Sequence, residues 1–184
     1  MSKTPIRRAG IEDARTIAEI HVAAWRETYA QMMPAETLAG LDVDEWAARW
    51  RKSLAAGAGD PAWAVFLALD EEGAAAGFAK CERQTSEKMA PLGYEGEFSS
   101  IYLLRRMQRR GAGRRLMAAM AGHLLASGCK SASVWMFRDA LHARRFYEAL
   151  GATPTGVEGV WEIYGLVLPD VAYGWRDIRA LAQS

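Results

Sequence analysis

Cysteine, histidine and net charge are all scarce in this sequence. Two cysteines, Cys81 and Cys129, are too few for a disulfide framework, and neither stands in the context of a catalytic nucleophile. Three histidines, His21, His123 and His142, lack the spacing of metal ligands, so each is expected as a surface or satisfied histidine and no metal is expected. Lys plus Arg number 23 against 22 for Asp plus Glu, which leaves a formal charge of +1 and no overall field to draw nucleic acid or an anionic membrane. No apolar run is long enough to span a bilayer, and the opening "MSKTPIRRAG" has no apolar core of a secretion signal. The expectation is a cytoplasmic protein with neither nucleic acid nor membrane as partner.

What is present is ordinary globular material. At 184 residues, with 51% hydrophobic and 24% charged, the chain suits one domain over residues 1–184 with a sizeable core. "TPIRRA" is a short strand candidate, and "EDARTIAEIHVAAWRETYA" carries Ile17, Ile20, Ala24 and Tyr29 near helical spacing until Pro34 breaks the pattern. A second helix follows, with Trp46, Trp50 and Leu54 at i, i+4 and i+8. "AWAVFLALD" and "AAAGFAKCERQ" flank Asp70-Glu71-Glu72-Gly73 as a β-hairpin. "EGEFSSIYLL" reads as a strand whose alternation is weakened at Ser99 and Ser100. Next come a helix from Gly111 that stops at Ser127-Gly128, a buried strand "SASVWMF" with Trp135 in the core, and a helix "ALHARRFYEALG" with Asp139 as its candidate N-cap. Two strand-like runs around Gly165 close the chain. The order β, α, α, β, β, β, α, β, α, β, β predicts a three-layer α/β protein: a mixed sheet of about seven strands with helices on both faces.

The segment "LLRRMQRRGAGRRLM", residues 103–117, carries the chemistry. A strand that enters a glycine turn and then a helix presents unpaired amides, and the helix dipole favours an anion there. Gly111 and Gly113 would let a phosphate approach the backbone. Arg114 and Arg115 stand where a Walker loop needs Lys and Ser or Thr, and the glycines supply only part of a dinucleotide fingerprint. The remaining readings are a cradle for a small polyanion, a nucleic-acid contact and a plain basic turn.

"GEFSSIYLLRRMQRRGAGRRLM" resembles the acetyl-CoA-binding segment of the GCN5-related N-acetyltransferases, with Gln108-Arg109-Arg110-Gly111-Ala112-Gly113 at the turn. "ARRFYEALGA", residues 143–152, is similar to that family's second signature. The resemblance implies the family's fold over essentially the whole chain and acetyl-CoA as acyl donor. It implies a small-molecule or peptide amine as acceptor, and homodimers are common in the family. By the same resemblance, the backbone of Ile101, Tyr102 and Leu103 would pair with the pantetheine arm. The turn from Gln108 to Gly113, with Arg114, would hold the phosphates; Asp139, Ala140 and Ala143 complete the cofactor side.

Glu97 aligns with the family's general base, with Glu95 as competitor, and Tyr147 aligns with its proton donor. A bland alternative stands beside each: a solvent-facing carboxylate for Glu97, and a core-facing helix aromatic for Tyr147. Trp25 and Tyr29, at i and i+4, would wall the acceptor cleft; the alternative for both is the core. Ala140 replaces a usual asparagine, Ala152 a usual aromatic and Arg105 a frequent proline. The expected function is transfer of acetyl from acetyl-CoA to a primary amine by direct attack. The competing reading is a non-catalytic acyl-CoA sensor, followed by a phosphate- or nucleic-acid-binding protein.

Overall fold

In the computed structural model the central strands are apolar on both faces, as strands in the middle of a covered sheet must be. Val65, Leu67 and Phe78 face one layer, while Ala64, Ala68, Ala79 and Cys81 face the other. The structure describes residues 4–183; Met1–Lys3, part of the stretch read for a signal segment, and Ser184 lie outside it.

The elements follow the expected order. They are β1 (Ile6–Arg8), α1 (Ala14–Thr28), α2 (Ala35–Ala39), α3 (Val43–Gly57), β2 (Ala64–Leu69), β3 (Ala75–Arg83) and β4 (Gly96–Leu103). Then come α4 (Ala112–Ala126), β5 (Ala132–Phe137), α5 (Leu141–Ala149), β6 (Thr153–Ile163), β7 (Leu166–Trp175) and α6 (Arg179–Ala182). The seven strands lie in the order β1-β2-β3-β4-β5-β7-β6, and only the β4/β5 pair is parallel. The fold class expected from sequence is therefore present.

Two cores cover the two faces. Leu116, Met117, Met120 and Leu124 of α4 pack under Phe98, Val134 and Trp175 on one side. Ile17 and Ile20 of α1, with Trp50 and Leu54 of α3, pack over Val65, Leu67 and Phe78 on the other. The α3 pattern thus buries the stripe that the sequence marked, and Asp42 caps it by accepting from the amides of Asp44 and Glu45 at 2.7 and 3.0 Å. A 3₁₀ turn at Ile11–Asp13 leads into α1. There Asp13 accepts the Gly10 amide at 2.9 Å and both arms of the Arg7 guanidinium at 2.6 and 2.7 Å. Tyr164 and Gly165, at φ 50° and 74°, make the tight β6/β7 turn.

Three expectations are corrected. Asp139 does not cap α5: Ala140 occupies the cap position with no side-chain bond, and Asp139 contributes only its carbonyl, to the Leu141 amide at 2.8 Å. The segment after Pro34 forms the short helix α2 rather than only a break. Another short helix, α6, follows β7 and was not expected.

Candidate active site

Strand β4 is paired with β3 along its whole length, from Gly96 opposite Arg83 to Leu103 opposite Gly77. Its other edge meets β5 only at Gly96/Ala132 and Glu97/Ser133. Beyond Glu97 the two strands diverge. The pairing of β3 with β4 steps from Cys81/Phe98 to Lys80/Ser100, so Ser99 is an extra, bulged residue. Gln84 ties the closed end of this gap, donating to the Gly96 carbonyl at 3.3 Å and the Ser133 hydroxyl at 2.6 Å.

At the C-terminal end of β4 the chain makes a 3₁₀ turn at Arg105–Met107 and enters α4. Gln108 donates from Nε2 to the Leu103 carbonyl at 3.0 Å, which fastens the turn to the strand. Arg109 and Gly111 both take the left-handed conformation, at φ 62° and 81°. The Arg115 amide bonds back to the Gly111 carbonyl at 3.1 Å, which leaves the amides before it as the unpaired start of the helix. Backbone turned this way forms a concave anion site. A Cβ on Gly111 would meet nothing, so this glycine is there for its φ; a Cβ on Gly113 would come within 3.1 Å of the Phe146 ring, so that glycine lets α4 close on α5. The sequence reading gave both glycines to the phosphate; Gly113 has in addition this packing role, which that reading did not give it. Arg109, Arg110 and Arg114 are exposed around the turn, whereas Arg105 is bound to Glu27 and Arg106 to Asp70.

Glu97 lies at the point where β4 and β5 part. Ser133 flanks it on one side and Glu82 on the other. Burial, and then the Glu82 charge, push its carboxyl up to about 7, while Lys80 opposes them. Lys80 is itself paired with Glu82 at 2.7 Å. Glu95, the competing carboxylate, is engaged outside this gap, accepting the Lys130 amide.

Tyr147 is buried in the core of the α4 face, against Phe146 and Trp175. Its hydroxyl is nevertheless an electrostatic neighbour of Tyr102, whose ring belongs to the α1 face, stacked on His21 at 5.1 Å. Burial and that neighbour raise Tyr147 above the ordinary phenol range, and burial does the same to Tyr29 and Tyr102. Ala140 is buried at the cap position of α5, and Ala143, in its first turn, packs against the α4-side core.

On the opposite layer Trp25, Tyr29, Phe137 and Trp161 make a closed ring of contacts, with centroid separations of 5.4, 5.1, 5.4 and 5.5 Å around it. Trp25 is only 1% exposed and is core rather than cleft wall, whereas Tyr29 and Trp161 keep open surface. Phe137 and Trp161 were not anticipated, because β5 and β6 showed only strand periodicity. His21 is buried among these rings and half satisfied: Nδ1 accepts from Trp50 at 3.1 Å, Nε2 has no partner, and burial pushes it down to about 3. Among the described residues no cluster of His, Cys, Asp or Glu could hold a metal, and no helix is long and apolar enough to cross a membrane.

The family and the fold of this chain are found in known proteins. The acetyltransferase (GNAT) family pattern matches residues 16–152. The chain is 38% identical over 176 residues, 96% of its own length and 95% of the relative's, to the uncharacterised N-acetyltransferase YuaI of Bacillus subtilis (strain 168). The fold resembles the PaiA N-acetyltransferase of Thermoplasma acidophilum in complex with coenzyme A, with a TM-score of 0.71, 15% identity and coverage of 92% and 99% of the two chains. It also resembles a phosphinothricin acetyltransferase of Sinorhizobium meliloti in complex with acetyl-CoA, with a TM-score of 0.67, 20% identity and coverage of 95% and 88%. The chain therefore belongs to the acetyltransferase (GNAT) family, the N-acetyltransferases that draw on acetyl-CoA.

Proposed function

We propose that this protein, acting as one domain over residues 1–184 in the cytoplasm, transfers acetyl from acetyl-CoA to a primary amine by direct attack, with Glu97 as base and Tyr147 as acid. The observation that supports this most is Glu97 itself: a half-buried carboxylate, raised to about 7, where two central strands separate. A general base works best near the operating pH, and a surface carboxylate at its usual value would leave the amine protonated.

Acetyl-CoA would lie in the gap. The open edge of β4 from Phe98 to Leu103 spans roughly 17 Å at the usual strand rise, and its free backbone groups suit the amides of an extended pantetheine arm. Ile101, Tyr102 and Leu103 supply those groups. The turn from Gln108 to Gly113 receives the pyrophosphate on its amides, and Arg109, Arg110 and Arg114 counter its charge. Asp139, Ala140 and Ala143 border the arm where α5 begins, and the two small alanines leave it room.

In the reaction Glu97 takes a proton from the ammonium, directly or through one water, and the freed amine attacks the thioester carbonyl. The C–N bond forms, the carbonyl becomes an oxyanion that a β4 amide near Leu103 stabilises, and its collapse breaks the C–S bond. The coenzyme A thiolate leaves and takes the Tyr147 proton, while the second proton that the nitrogen sheds as the amide forms returns through water to the Tyr147 phenolate. An ordinary thiol titrates near 8.5, below a phenol, so this proton transfer is driven by bond cleavage and not by a strong acid. Tyr29 and Trp161 border the acceptor's approach.

Thiol release from acetyl-CoA, measured against a panel of amines for wild type and Glu97→Gln, tests the reading. Turnover that needs both an amine and Glu97 is expected. Tight acetyl-CoA binding with no thiol release for any amine would instead identify a sensor.

A further inference from the structure

Asp170 stands in the middle of β7, opposite Phe137 of β5 and Gly159 of β6. Cross-strand partners share a face, and Phe137 touches Tyr29 of α1, so the Asp170 carboxylate lies on the acceptor side. Trp161, two residues beyond Gly159, shares that face and packs on Phe137.

The carboxylate is unusually placed. Its Oδ1 is buried and has no hydrogen-bond partner. Gly159 exists there to leave it room: a Cβ at 159 would come within 2.5 Å of Oδ1 and 3.3 Å of the Trp135 ring. Amides of Asp170 and Gly159 lie near the carboxylate without giving Oδ1 a bond of ordinary geometry. The neighbouring cations are committed elsewhere. Lys88 donates to the Glu158 carbonyl at 2.8 Å, and Arg138 is paired with the Glu158 carboxylate at 2.7 Å. A polar group buried without its partner costs free energy, and one that caps no helix and closes no ion pair has no evident structural return. The side chain is half-buried overall, so a ligand can still reach it.

Strand spacing sets the scale. Asp170 is one strand removed from β5, and its rung at Phe137 lies four residues beyond the Ser133 rung of Glu97, so it lies about 10–15 Å from an amine held at Glu97 through one water. The path between runs past Phe137 and Trp161, which suits an apolar chain. Resting on the acetyl-transfer reading above, we propose that the acceptor is a diamine, whose second, cationic end pairs with Asp170 while its alkyl chain lies on Phe137 and Trp161.

Steady-state kinetics with 1,8-diaminooctane and octylamine test this. The wild-type ratio of kcat/KM, diamine over monoamine, is expected to be at least about tenfold. In Asp170→Asn it falls to within about threefold, through KM for the diamine. Should that variant fail to fold, Gly159→Ala, which pushes on Oδ1 while keeping the carboxylate, is expected to lower the ratio as well. Equal wild-type efficiencies, or a ratio unchanged by either variant, would overturn the assignment. Turnover of peptide amines but of neither alkylamine would overturn it while leaving acetyl transfer standing. No thiol release with any amine would remove both.

Discussion

The two edges of β4 are built from the same eight residues, yet one is sealed and the other open. Toward β3 the ladder runs unbroken but for the Ser99 bulge; toward β5 it stops after Glu97. A strand edge with free amides and carbonyls is a template for anything extended that can pair with it. Ordinarily such edges lie at the margin of a sheet, and here one is opened in the centre, between the two helical layers. The sealed edge supplies rigidity, and the open one is where the proposal above places recognition. The charged groups divide accordingly: Lys80 and Glu82 are paired with each other on the sealed side, whereas Glu97 is left where the opening begins.

Changes at the open edge should cost activity and not stability. The largest effect is expected from Glu97→Gln, a fall in kcat/KM of about 10²–10³-fold at pH 7–8. In wild type the base is protonated as pH falls, so kcat/KM should decline below an apparent value near 7, and the variant should lack that limb. Because the folded-state value is raised from 4.5 to about 7, ionisation favours the unfolded chain, and the penalty builds as pH rises between these values and is fully present above about 7. Denaturant unfolding at pH 8–9 should therefore find Glu97→Gln more stable than wild type by about 1–3 kcal/mol. Tyr147→Phe comes next, with kcat down by about 10²-fold and KM for the amine little changed, since the ring stays in its core. Replacing Arg109, Arg110 and Arg114 together by Ala should weaken acetyl-CoA binding about tenfold and flatten its salt dependence, as read by titration calorimetry.

The sealed side provides the contrast. Arg7→Ala removes the fork on Asp13 and should lower unfolding stability by about 1–2 kcal/mol, with kcat/KM for both substrates unaltered. An Arg7 variant that damaged turnover as much as stability would dissolve the distinction between the edges.

Most of this architecture was legible because period and punctuation agreed. Trp46, Trp50 and Leu54 announced α3, Asp70–Gly73 announced the first hairpin, and Gly165 marked the break between the last two strands. The Gln108–Gly113 turn was legible because a strand, left-handed positions and a helix start must follow one another there. What could not be read was lateral. Nothing in "SASVWMF" or "VEGVWEI" says that Phe137 and Trp161 meet, or that Asp170 lies between Phe137 and Gly159, because strand neighbours are set by register across long connections. Asp139 shows the opposite failure: a good cap residue one position too early, while the chain enters α5 through Ala140.

The weakened alternation at Ser99 and Ser100 was the trace of the bulge. Glu97 and Tyr102 are five positions apart, an odd interval that in a regular strand puts two side chains on opposite faces. Opposite the regular β3 they nevertheless fall beside Glu82 and Phe78, on one face. Ser99 thus acts as a parity switch. Removing that single residue would leave every rung of the ladder available for pairing, yet turn the carboxylate and the phenol away from each other, so the length of this strand decides which side chains share a face as much as any residue in it.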